Sequence, residues 1–178
     1  MTDEVYSDDE IRAILSRVKR IAMIGASANA ARPSYFVLKY LSSRGYEVIP
    51  VNPGLAGGAI LGLPVYANLA EAPGPIDMVD IFRTSEAALG IVQQALMLDP
   101  KPSVIWMQLS VVNAEAAKMA RAAGLIVVMN RCPKIEYARL SGEIGWSGVN
   151  SGIISAKRPI IGAGVQRLDL EASARPKV

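Results

Sequence analysis

A strand–loop–helix–strand unit of about thirty residues near the start of the chain constrains the fold more than any other feature. The apolar run Ile21-Ala22-Met23-Ile24 stops at Gly25. A loop follows to Arg32, and Pro33 suits the first turn of a helix, where its missing N–H would have had no helical partner. Phe36, Val37, Tyr40 and Leu41 mark the inner face of that helix at its 3.6-residue period, and Gly45 ends it. Residues 46–51 form a second strand, stopped by Asn52-Pro53-Gly54.

The alternation continues down the chain. Residues 76–82, 104–109 and 125–129 predict three further buried strands. Between them, Thr84 is placed to cap a helix over 85–98, and Asn113 to cap one reaching Ala123, closed by Gly124. Residues 54–63 make a Gly-rich loop, and Pro64-Val65-Tyr66 can add a short strand. Ahead of the first unit, Ser7-Asp8-Asp9-Glu10 has the form of a capping box, followed by Ile11, Ile14, Leu15 and Val18 on one face of a helix over 8–19. The pattern predicts one α/β domain over residues 8–140, Rossmann-like and doubly wound around a mostly parallel sheet, with an N-terminal helix. Residues 141–178 are expected to be an irregular C-terminal extension, ending in a tail from Pro159.

Composition removes many chemistries. The chain has no histidine and one cysteine, Cys132. A Ser-His-Asp triad, a Cys-His dyad, phosphohistidine chemistry and a zinc site are excluded, as is an intramolecular disulfide. No catalytic constellation and no metal site is expected. Net charge is only +3, with no dense Lys/Arg run, so no nucleic-acid partner is expected. No apolar run approaches the ~18 residues of a membrane span. The acidic start, MTDEVYSDDE, is unlike a secretory signal, and a cytoplasmic location is the expectation.

In an open α/β sheet, ligands bind beyond the carboxyl ends of the strands. The candidates are therefore Gly25-Ala26-Ser27, Asn52-Pro53, Phe82-Arg83, Gln108 and Asn130-Arg131-Cys132. Gly25 lets backbone approach a phosphate, and the helix begun by Pro33 presents its positive end. Ser27 and Ser34 add hydroxyls, and Arg32 can make two hydrogen bonds to one phosphate. The alternative for this loop is a plain tight turn. Arg83 can serve a ligand or pair with Asp77, Asp80 or Glu86. Gln108 can bond a ligand amide or a loop carbonyl. Cys132 beside Arg131 is either activated by that charge or, more often for such residues, a small packing residue. The loop lacks the second and third glycines of the dinucleotide fingerprint. The second strand ends in Asn52 rather than the acidic residue that would hold a ribose diol.

Ile24-Gly25-Ala26-Ser27, Arg32-Pro33-Ser34, the run 45–53, Val79-Asp80-Ile81-Phe82-Arg83, Trp106-Met107-Gln108 and the run 127–132 together resemble the CoA-binding domain family of small bacterial and archaeal proteins. That family is similar in fold to the nucleotide-binding half of succinyl-CoA synthetase α subunits. The resemblance implies coenzyme A or an acyl-CoA as ligand. It places the pyrophosphate at the Gly25-Ala26-Ser27 loop and Arg32, with Pro33 and Ser34 also among the cofactor-binding candidates, the adenosine near Asn52 and Pro53, and the pantetheine arm beside Phe82 and Arg83. Ligation through a phosphorylated histidine is out of reach, because the residue is absent. The expected role is non-catalytic CoA binding, as carrier or sensor. The alternatives are an NAD(P)-binding oxidoreductase or redox sensor, and a docking module whose partner is a second copy or another subunit.

Overall fold

The computed structural model of the chain describes residues 4–143. The extension from residue 144 onward, including Gly145-Trp146-Ser147-Gly148, Lys157-Arg158 and the tail, lies outside the described residues.

Helix α1 (Asp8–Arg17) leads into β1 (Arg20–Ile24), α2 (Pro33–Ser43) and β2 (Glu47–Val51). A small antiparallel hairpin follows, β3 (Ala59–Ile60) with β4 (Leu63–Pro64). Then come β5 (Met78–Ile81), α3 (Ala88–Leu96), β6 (Val104–Met107), α4 (Ala114–Ala122), β7 (Ile126–Val128) and α5 (Pro133–Leu140). The main sheet has five parallel strands in the order β2-β1-β5-β6-β7. The doubly wound architecture is as the alternation predicts.

Each strand alternates its side chains between two covered faces. Ile21, Met23, Met78 and Trp106 point to the layer of α1, α2 and α5; Ala22, Val79, Ile81 and Ile105 point to that of α3 and α4. Both faces are dry, which explains the continuous apolar runs in the sequence. Asp77 fixes the start of β1 by accepting from the N–H groups of Lys19 and Arg20 at 2.9 and 2.8 Å. Buried Tyr46 donates its hydroxyl to Leu15 O at 2.8 Å, tying α1 to the sheet.

Several local expectations change. The 54–63 loop contains the hairpin, and Tyr66 makes only an isolated parallel bridge to Val51. Residues 85–87 form a 3-10 turn ahead of α3, and Thr84 makes no side-chain cap bond. Phe36 does not face inward: Ser34, Val37, Leu38 and Leu41 are the buried residues of α2, and Phe36 is 51% exposed. Helix α5 is not evident in the sequence pattern. Among the described residues no helix is long and apolar enough to cross a membrane.

The capping box of α1 is complete: Ser7 Oγ accepts from Glu10 N–H at 3.3 Å, and Glu10 Oε2 accepts from Ser7 N–H at 2.8 Å. Ser7→Ala is expected to lower stability by about 1 kcal/mol. Urea denaturation checks this: the midpoint should fall with the slope unchanged.

Candidate functional site

The sheet order turns at β1, whose next strand in sequence lies on one side while β5 lies on the other. Loops leaving β1 and β5 diverge, which opens a crevice at their carboxyl ends. Gly25 closes β1 with φ +87°. Its N–H donates to Val51 O at 2.9 Å, and Phe82 N–H donates to Ile24 O at 2.8 Å. The strand ends are so close that a Cβ on Gly25 would sit 2.5 Å from Phe82 O and 2.9 Å from Arg83 Cδ.

The loop after Gly25 is braced by its own polar residues. Ser27 Oγ accepts from Asn29 N–H at 3.1 Å, and Asn29 Oδ1 accepts from Ala31 N–H at 2.9 Å. Asn52 clips the loop to the end of β2: its Nδ2 donates to Ala26 O at 2.7 Å while Oδ1 accepts from Gly54 N–H at 2.9 Å. Arg32 is the N-cap of α2 and makes no side-chain cap bond. The positive end of that helix is thus left for an outside acceptor. Ser34 is 4% exposed and lines the cleft, and its hydroxyl has no partner among the described residues.

Two hollows flank this point. The larger, about 810 Å³, runs between α2 and α5 over the ends of β5 and β6. Gly25, Ser27, Arg32, Pro33, Ser34, Asn52, Phe82 and Arg83 line it, while the strand-end candidates Asn130 and Arg131 do not. The smaller, about 490 Å³, lies on the α3 side and includes Pro53 and Asn68. Gly25 and Arg83 line both. Ala26 is fully buried in the core and offers only its backbone.

Arg32, Arg83 and Lys134 line the larger hollow, and none forms an ion pair with a described residue. The possible partners of Arg83 are otherwise engaged: Asp77 holds β1, Asp80 bonds Gln108, and Glu86 accepts from Thr84. Asp80 is fully buried, and burial pushes its carboxyl up to about 8, opposed in part by the Gln108 amide. It is therefore mostly neutral at pH 7 and does not cancel the three cations.

Helix α5 brings residues that sequence reasoning missed. Lys134 and Ile135 close the cleft opposite α2, with Phe36 and Leu109 adding exposed apolar surface. Trp106 sets this wall: its Nε1–H donates to Arg131 O at 2.7 Å, just ahead of the helix. One signal was available, since Cys132-Pro133 repeats the Arg32-Pro33 arrangement of a Pro at the first helical position. Cys132 lines the cleft but is 6% exposed, and burial raises its thiol above the usual range. Arg131 lies over the Tyr6 ring instead, 5.8 Å from its centroid. The packing reading of Cys132 fits these facts.

Comparison with known proteins gives the family. The sequence profile of the CoA binding domain matches residues 19–138. The uncharacterized protein YneT of Bacillus subtilis (strain 168) is 41% identical over 132 residues, which are 74% of this chain and 95% of that one. A hypothetical protein from Pyrococcus horikoshii OT3 superimposes with a TM-score of 0.71 at 38% identity, over 78% of this chain and 98% of that one. The cell-free ID.343 structure from Thermus thermophilus gives a TM-score of 0.71 at 36% identity, over 75% and 98%. The profile spans every residue that lines the two hollows, and the chain belongs to the CoA-binding domain family.

Proposed function

We propose that the protein binds coenzyme A or an acyl-CoA along the two hollows, as a carrier or sensor that performs no chemistry on it. The observation that carries this reading is that two hollows share Gly25 and Arg83 in their linings. A ligand with two different ends and a diphosphate between them fits such a shape. The adenosine lies in the smaller hollow against Pro53, and the pantetheine arm runs through the larger one. The diphosphate sits over Gly25, within reach of the free end of α2, Ser34 and Arg32. The cationic rim without paired carboxylates suits a ligand of several negative charges.

The non-catalytic reading is supported by how the polar groups here are engaged: Ser34, Gln108 and Cys132 line this part of the hollow, the thiol is held protonated by burial, and the Asp80 carboxyl beneath is bonded to Gln108.

Arg32→Ala is expected to weaken CoA binding roughly tenfold or more, the scale of a charge-assisted hydrogen bond. Raising salt should weaken wild-type binding and weaken the variant less, because one screened charge is gone. Calorimetric titration at two salt concentrations checks both. Unchanged affinity in a folded Arg32→Ala protein would remove the diphosphate from this position.

A further inference from the structure

Two polar side chains lie under the larger hollow on adjacent strands. Asp80 on β5 is fully buried, with Met23 and Trp106 as its lateral neighbours in the sheet. Gln108 directly follows β6, is 5% exposed, and lines the hollow. Its Nε2 lies 3.0 and 3.2 Å from the two Asp80 carboxyl oxygens. The amide nitrogen is therefore committed to the floor, and Oε1 is left as the acceptor. No hydrogen bond to Oε1 occurs among the described residues.

A lone carboxyl at this depth works against stability. Removing it from water costs several kcal/mol unless fully bonded, and no cation among the described residues pairs with it. An apolar residue would pack this face of β5 at lower cost, as Met78 does two residues earlier. What the neutral acid does accomplish is to accept from Nε2 through its carbonyl oxygen, which holds the amide nitrogen at the floor. A free glutamine side chain presents N–H or C=O with equal ease; this one is held.

We infer that Asp80 is a positioning residue that keeps the Gln108 carbonyl facing the hollow, and that Gln108 selects a ligand bearing an N–H donor there. This rests on the proposed function, within which the donor is a secondary amide of the pantetheine arm. Ser34 and Gln108 offer uncharged polar groups within the hollow, which suit an amide chain.

The test is calorimetric titration of the full chain with CoA, phosphopantetheine and adenosine bisphosphate. Gln108→Met, which keeps volume and loses the acceptor, should weaken CoA and phosphopantetheine about five- to tenfold and leave adenosine bisphosphate unchanged. Asp80→Ala should give the same split, and Asp80→Asn, which retains an oxygen for Nε2, should restore binding. That rescue separates positioning from general loosening of the fold. Equal losses for all three ligands, or wild-type affinities throughout, overturn the inference while leaving CoA binding intact. Failure of the wild-type chain to bind CoA at all would remove the underlying reading, and this inference with it.

Discussion

Gly25→Ala destabilises the protein by several kcal/mol and removes most of its affinity for coenzyme A. Two effects combine. The backbone at φ +87° disfavours any L side chain, at about 1–2 kcal/mol. In addition the new Cβ would meet Phe82 O at 2.5 Å, and that oxygen belongs to backbone that cannot swing aside. The end of β5 must then move away from β1, which displaces Phe82 and Arg83 and closes the approach to the diphosphate. Gly45 supplies the control. It has φ +91° with nothing within 4 Å of an added Cβ, so Gly45→Ala should show only the conformational cost and keep full affinity. Denaturation curves and titrations of the two variants, side by side, separate strain from loss of the site. Equal affinity in both would contradict the account of the Gly25 turn.

Asp80→Asn should stabilise the protein at high pH relative to wild type. The buried carboxyl titrates near 8 in the folded chain, against about 3.9 when exposed. The folded state thus holds a proton that the unfolded state has released between those values. Wild-type stability from this group is fully present below about pH 4 and is lost as pH rises toward 8. Asparagine has no such dependence. At about 1.4 kcal/mol per unit, the gap between variant and wild type should widen by roughly 2–4 kcal/mol from pH 5 to pH 8.5. The comparison cancels the opposite contributions of Glu4 and Glu10, which are held below the usual carboxylate range by Arg121 and by Ser7 respectively. Urea denaturation of both proteins at the two pH values measures it, and parallel stability curves would refute the assignment of a neutral Asp80.

The strands were legible because each is buried on both faces and cut off by glycine, proline or asparagine. Helix α5 was not, because its pattern is broken from inside. It buries Glu136 beside Pro133, Tyr137, Ala138 and Leu140 and leaves Ile135 outward, so the apolar period never shows. Glu136 tolerates burial through its ion pair with Arg139 at 2.7 Å, a partner that periodicity does not register. The hairpin was hidden for another reason: two strands of two residues carry no period at all.

The same division holds at the site. Most residues directly after strands reach the crevice, since topology places them there, but Asn130 and Arg131 do not line it, and Arg131 lies over the Tyr6 ring. Lys134, Ile135 and Phe36 were missed because their position depends on how α2 and α5 pack across the sheet. Asn52 shows what strand-end logic cannot separate. It lines the cleft, yet its side chain is spent on Ala26 and Gly54, so it shapes the loop that a ligand would meet.

Calorimetric titration of the full-length chain with coenzyme A, set beside NADH under the same conditions, tests the central claim most directly. The account predicts saturable one-to-one binding of coenzyme A, at least tenfold tighter than any binding of NADH. Binding of NADH with no heat from coenzyme A would contradict it.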